Sequence, residues 1–392
     1  MLEWYTFVMW NRNDKYAGIL IRSKRMEKHW SQEGTAEGIC AVSYLSKIEQ
    51  GKVQGSPEIT RMLMERLGVK WQSDPAFVKK TEKQVMKWYE KVFAMEDLTL
   101  EEVREGREER LDSIFAPDQL LLEKWLETDI NDPIPLELEV CLDTPQLAMQ
   151  RILQERYEDA YLIYPCALTC LLAGEKLCWD GERYTKAMEY FTEAYQLACI
   201  QVDVKIMLEV KMMTGCLYSN IQDIPSMEEN FRQAWKIADL LHDEKTKNMI
   251  AYNTGATYFE IGRYEEAYAL LKQYPREDCM YWHKLALCCE KFGRKEEALQ
   301  DLEKAETTPA GAMGDFIHDM CALPRYRIQH PAYLHDKVYG EMLMQVFVKC
   351  RKEFPAGYAS FHLPWVLEWL TSNRMYKEAY ELSVDFPLNH TK

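Results

Sequence analysis

The residues of this chain best suited to chemistry stand together in the stretch 31–52, SQEGTAEGICAVSYLSKIEQGK. Ser43, Tyr44, Ser46, Lys47 and Lys52 supply hydroxyl and ammonium groups, and Gln32 an amide. Such groups exchange hydrogen bonds with phosphate oxygens and base edges, and the ammoniums add charge attraction. Tyr44 and Lys47 lie three residues apart, and so do Leu45 and Ile48; on a helix the two pairs take different faces. The polar pair is therefore presented outward if the apolar pair packs inward. That is the pattern of a short helix that touches a ligand while resting on a core.

The elements that must hold this helix are readable on both sides of it. Residues 16–29, YAGILIRSKRMEKH, carry Ile19, Leu20 and Met26 at helical spacing. Ser31 is a good N-cap for a short second helix that ends at Glu37-Gly38, where glycine permits the turn. Ser43 is read as the cap of a third helix running to Gln50, and Gly51 ends it. Ser56-Pro57 opens a fourth, by a serine cap followed by proline in the first turn, and it buries Ile59, Met62, Leu63 and Leu67.

These residues resemble the Xre/Cro-repressor helix-turn-helix, and the turn spacing is most similar to that of PlcR-type regulators. The similarity is carried by Gln32, Ile39-Cys40 and SYLSKIEQGK (Ser43 to Lys52). It implies that Gln32 touches a phosphate, that Ser43, Tyr44 and Lys47 face the major groove, and that Ser46 and Lys52 meet the backbone. Glu49 is implied to pair with Arg22 or Arg25. One departure is Gly34-Thr35, where the family carries a helix former and a leucine; glycine costs a helix interior about 1 kcal/mol against alanine.

Charge separates head from body. Residues 1–72 hold eleven Lys/Arg against eight Asp/Glu, net +3, which leaves −18 of the chain's total of −15 on residues 73–392. A basic head on an acidic body suits a protein whose head alone meets nucleic acid. The 392 residues suffice for two or more cores. No apolar run reaches the roughly 20 residues of a membrane span. The opening MLEWYTFVMW has no basic leader or small-residue cleavage site, so it reads as a buried segment, or as a start misplaced ahead of Met9. The twelve cysteines fit no even framework: Cys288-Cys289 are adjacent and Cys166 and Cys170 are one helical turn apart. Reduced cytoplasmic thiols follow.

Residues 73–110 read as two long charged helices with a possible break at Glu105-Gly106 and a turn at Ala116-Pro117; a joint is expected around Asn131–Pro135. From about residue 150 a repeat emerges. EYFTEAYQLA (189–198) and ENFRQAWKIA (229–238) align 40 residues apart, Gly215 and Tyr218 match Gly255 and Tyr258, and GRYEEAYALL (262–271) returns 31 residues later as GRKEEALQDL and another 81 on as RMYKEAYELS. Residues 310–355 read as a divergent pair. These segments resemble tetratricopeptide repeats, whose helical hairpins stack into a right-handed superhelix because one hairpin cannot bury its apolar face alone. Taking Gly215 and Gly255 as the points where the paired helices touch, the groove-facing set includes Lys176, Trp179, Met212, Asn220 and Tyr252. Asn253, Phe259, His283 and Lys291 complete it. An asparagine amide donates and accepts together and so clasps a peptide backbone.

The expectation is an all-α chain: a five-helix helix-turn-helix domain (1–72), a helical linker with the first divergent hairpins (73–150), and a repeat domain (151–392). A head of this type on a body of this length resembles the peptide-pheromone-responsive regulators, the Rgg, NprR, PlcR and PrgX group. That resemblance implies a cytoplasmic homodimer with two partners, a double-stranded DNA operator and a short linear peptide. The competing reading is an interaction scaffold whose head no longer reads DNA, for which the acidic body and Gly34-Thr35 speak. For an enzyme the sequence offers no nucleophile elbow, phosphate loop or zinc spacing, and so no catalytic, metal or cofactor residue is expected. Glu265-Glu266 and Glu296-Glu297 read as solvated helix starts, and His318, His330 and His335 are scattered.

Overall fold

The computed structural model describes residues 2–127, 139, 141–181 and 183–385, and among these the chain is helical with no strand. It divides into two compact units, Met1–Ala173 and Gly174–Lys392.

In the first unit, α1 (Leu2–Glu27), α2 (Gln32–Ala36), α3 (Val42–Glu49) and α4 (Pro57–Arg66) form the head. Ser31 caps α2 by accepting from Gly34 N at 3.1 Å, and Gly38 turns the chain at φ +68°. Ser56 caps α4 and Pro57 opens it. Ala17, Ile21, Ala36, Leu45, Ile48, Leu63, Met64 and Leu67 make the core. Two details differ from the sequence reading. The N-cap of α3 is Ala41, with no side-chain cap, so Ser43 lies inside the helix. Met64, not Met62, fills the core beside Leu63, because the buried stripe runs 60, 63, 64, 67. The Gly34-Thr35 departure leaves α2 intact: buried Thr35 donates from Oγ1 to Ser31 O at 2.9 Å.

Residues 2–72 hold four helices where five were expected; the next, α5 (Pro75–Phe93), starts beyond residue 72 and is begun by Asp74, whose carboxylate accepts from Ala76 N and Phe77 N. The two long helices expected over 73–110 are instead α5 followed by α6 (Leu100–Arg104) and α7 (Arg107–Leu111). A left-handed Met95 and a capping box, Thr99 with Glu102, make the extra break, and Gly106 at φ +71° makes the next. Ala116-Pro117 opens α8 (Ala116–Glu127) rather than a turn, proline being welcome in a first turn. The joint expected at Asn131–Pro135 lies outside the described residues. Then follow α9 (Thr144–Leu153) and α10 (Tyr157–Ile163).

The second unit, which begins at Gly174 within the next helix, is built of hairpins, each with a first and a second helix. From α11 (Ala167–Asp180) they run α12 (Tyr184–Gln201), α13 (Val204–Asn220), α14 (Ile224–Leu240), α15 (Glu244–Glu260), α16 (Tyr264–Gln273), α17 (Cys279–Lys291) and α18 (Lys295–Thr307). The small residue in each first helix admits a large one from its partner. A Cβ on Gly174 would stand 2.7 Å from the Phe191 ring, one on Gly215 2.4 Å from Phe231, and one on Gly255 3.0 Å from Leu271. The expected divergent segment holds α19 (Phe316–Gln329) and α20 (Lys337–Glu353), followed by α21 (Ala356–Ser372) and α22 (Tyr376–Asp385). Aspartates begin many of these helices: Asp143, Asp223, Asp243, Asp278 and Asp336 each accept from a backbone N–H in the first turn.

Candidate nucleic-acid and ligand surfaces

In the head, one carboxylate ties three helices together. Glu49, almost fully buried, accepts from Arg25 Nε at 2.7 Å and Nη2 at 2.9 Å, and from Gln32 Nε2 at 2.8 Å. A bidentate pair of this kind fixes direction as well as distance. Arg25 Nη1 also donates to Trp30 O at 2.9 Å, so the guanidinium holds the entry to α2. The pairing expected for Glu49 thus goes to Arg25. Gln32, expected on a phosphate, gives one amide hydrogen to Glu49, which leaves its other donor for a ligand.

With its inner face pinned, α3 presents the rest outward. Ser43, Lys47 and Lys52 are exposed, and Ser46 is half-buried, its hydroxyl accepting from Gln50 Nε2 at 3.1 Å. Tyr44 is half-buried against the core, and its hydroxyl donates to Gln54 O at 2.9 Å, bracing the loop after α3. Val42, not singled out from the sequence, stands at the first position of α3 with 39% of its surface exposed. Its apolar type reads as core in a sequence; only the position of the cap shows it to be outside.

In the second unit, the first helices are linked side to side along one face. Asn220 Nδ2 lies 3.8 Å from Cys178 Sγ, Asn253 Nδ2 lies 3.5 Å from Cys216 Sγ, and the hydroxyls of Ser219 and Thr257 meet at 2.6 Å. Thiols are weak acceptors, so both half-buried amides are steadied without being saturated. Lys176 is exposed and paired with Asp180 at 3.0 Å, Trp179 is exposed, and Lys291 is exposed with its ammonium 5.6 Å from the Tyr264 ring. Tyr252 is half-buried under the Arg276 guanidinium at 4.9 Å.

Three expected groove residues are placed differently. Met212 is buried in the core with Phe231 and Ala234, Phe259 with Tyr281 and Leu285, and His283 is fully buried. Helical spacing gives the face of a residue but not its depth, and here later helices cover the face. Residues missed from the sequence stand beside them. Lys284 is buried, 3.8 Å from Glu260, and burial pushes its ammonium down to about 8. Burial and the neighbouring Glu209 push the Glu175 carboxyl up to about 7.

Burial also holds His362 neutral, with its pKa lowered to about 4. In the unfolded chain its pKa returns to about 6.5, so between these values the unfolded state binds more protons. Stability contributed by neutral His362 is therefore full above about pH 6.5 and declines as pH falls toward 4. Thermal unfolding of the full chain at pH 7, 6 and 5 should show Tm falling with pH, less steeply in His362→Gln. Equal slopes in both proteins would remove His362 as the cause.

Among the described residues no three His, Cys, Asp or Glu side chains are grouped to hold a metal, and no helix is long and apolar enough to cross a membrane.

Residues 227–305 match the family described as anaphase-promoting complex, cyclosome, subunit 3. The chain is 24% identical over 279 residues to the transcriptional activator NprA of Geobacillus stearothermophilus. The match covers 62% of this chain and 66% of that protein, just under two thirds of the relative's own length. A solved structure of Bacillus thuringiensis PlcR in complex with the peptide PapR7 and DNA is 16% identical, with 80% of this chain and 98% of that one covered at a TM-score of 0.22. With its stacked helical hairpins and its sequence similarity to a transcriptional activator, the chain resembles the Rgg, NprR and PlcR type of regulator with tetratricopeptide-like repeats.

Proposed function

We propose that this chain is a ligand-controlled transcription regulator. Its head, residues 1–72, reads a double-stranded DNA operator through α3, and residues 73–150 connect the head to the body. The repeat body, residues 151–392, takes a short linear peptide on the face lined by the first helices of its hairpins. The observation that carries the reading is the geometry of α3. Glu49, held by Arg25 and Gln32, fixes the helix, while Ser43, Lys47 and Lys52 stay exposed on a head of net charge +3. The similarity to a protein named as a transcriptional activator supports the same conclusion. On this reading the chain is a cytoplasmic homodimer that binds rather than catalyses. Gln32, Ser46 and Lys52 meet the phosphate backbone, and Ser43, Tyr44 and Lys47 meet base edges, with Val42 against thymine methyl groups. On the body, the half-buried amides of Asn220 and Asn253 hold the peptide backbone beside Tyr252, with Lys176, Trp179 and Lys291 at the exposed margin.

The test is fluorescence-anisotropy binding to DNA from upstream of the protein's own gene, against scrambled DNA and across salt. Tyr44 braces a loop, so the variant that leaves the fold alone is Ser43→Ala with Lys47→Ala. It should lose at least about ten-fold in specific affinity, 1.4 kcal/mol, and with it the preference for the operator over scrambled DNA. Equal binding of both DNAs by wild type and variant would favour the scaffold instead.

A further inference from the structure

The turns before α14, α16 and α18 share one backbone shape. Each holds a left-handed residue, Gln222 at φ +58°, Gly262 at +84° and Gly293 at +70°, and the next residue stands at the helix N-cap. In the second and third turns that residue is an arginine, laid on the aromatic side chains between one hairpin and the next. The Arg263 guanidinium lies 3.8 Å from the centre of the Tyr258 ring, and its Nη1 donates to Glu228 at 2.9 Å. The same carboxylate accepts from the Tyr258 hydroxyl at 2.7 Å. Arg294 stands 5.2 Å from the Tyr268 ring and 5.3 Å from that of Phe292.

The first groove of the three lacks this filler. It lies between α12 and α13, where the 40-residue period puts Tyr218 at the place of Tyr258 and Met188 at the place of Glu228. Asp223 replaces the arginine, and its carboxylate turns to its own helix, accepting from Ser226 N at 3.2 Å. The exchange gains a cap and gives up a guanidinium. A cavity of about 770 Å³ remains, lined by Met188, Glu189, Glu193, Tyr218 and Ile221 among others. Its lining includes two carboxylates and no cation. A tyrosine ring beside carboxylates suits a guanidinium, which is planar and weakly hydrated, better than it suits an ammonium. With no cation in the lining, the carboxylate of a free amino acid would find no partner there, so the arginine that fits is one within a chain.

We infer that the groove between α12 and α13 is a docking site for an arginine of a partner polypeptide, received over Tyr218 in the position that Arg263 and Arg294 take in the next two grooves. The site shares no residue with the face proposed for the signalling peptide, and it stands whether or not that proposal does.

Met188 provides a probe inside the groove. With isotope-labelled methionine methyls in the full chain, and its resonance assigned through Met188→Leu, N-acetyl-arginine amide should shift that signal saturably. Its Kd should be at least about ten-fold lower than that of N-acetyl-lysine amide. Asp223→Arg, which supplies the groove with an arginine of the chain's own, should weaken binding by at least about ten-fold. Tyr218→Ala, which removes the ring, should do the same. No saturable shift in wild type, equal affinity for the arginine and lysine compounds, or an unchanged Kd in both folded variants would overturn the inference. Tighter binding of free arginine than of the blocked form would overturn the polypeptide as its source.

Discussion

Glu49→Ala is expected to loosen the head by about 3 kcal/mol, near the lower end of what removing one partner of a buried ion pair costs. The Glu49 side chain is 3% exposed and that of Arg25 13%, so the guanidinium left behind is only slightly rehydrated. Gln32 loses its acceptor at the same time. A domain of this size has about 5–15 kcal/mol in total, so the loss is a large fraction. Urea unfolding, followed by exchange of amides in α1–α4, should report it as a lower midpoint for those helices alone. Replacing both partners, Arg25→Met with Glu49→Met, should cost less than the single change, because no charge is then left unpaired. If the single variant kept the wild-type midpoint, Glu49 would not be the tie that orients α3.

The second large effect lies where two helices touch. Gly215→Leu puts a side chain where even a Cβ would meet the Phe231 ring at 2.4 Å. Overpacking at such a point costs about 3 kcal/mol, well beyond the roughly 1 kcal/mol that replacing glycine returns in helix propensity. Phe231→Ala alone, deleting a buried aromatic, should cost about 3–5 kcal/mol. Combined, the two changes exchange which helix supplies the bulk, and the pair should be clearly less destabilised than the sum. Denaturant unfolding of the four proteins gives the coupling. Strict additivity would mean that α13 and α14 do not lock through this contact.

The same contacts explain what could be read in advance. Gly215 with Phe231 recurs as Gly255 with Leu271, so a period was visible over residues 150–310. The head was legible for a different reason, because Ser31, Gly38 and Ser56-Pro57 each carry a local backbone instruction. Over 311–372 the marks are isolated: Asp336 caps a helix and Gly340 meets the Trp369 ring. There Pro324 and Pro364 sit inside helices, where a sequence reading expects a stop. The aromatic face of α21 has no counterpart in the hairpins. That hidden element is also why Phe259 does not lie on an open groove: Phe361 of α21 packs against it. The break at Met95 escaped notice because a left-handed methionine leaves no mark in the sequence, although the Thr99–Glu102 capping box does.

The aspartates at helix starts give the chain's acidity a second meaning. Asp74, Asp143, Asp223, Asp243, Asp278 and Asp336 each bind a first-turn amide. Part of the −18 carried by residues 73–392 is therefore punctuation, marking where one helix stops and the next begins, as well as a field that turns nucleic acid away. A supercharged form of this protein, redesigned to cling to DNA along its whole length, would have to draw its substitutions from exposed carboxylates such as Glu265 and Glu296. Neutralising those six aspartates instead would erase the spacing between helices before it changed what the surface attracts.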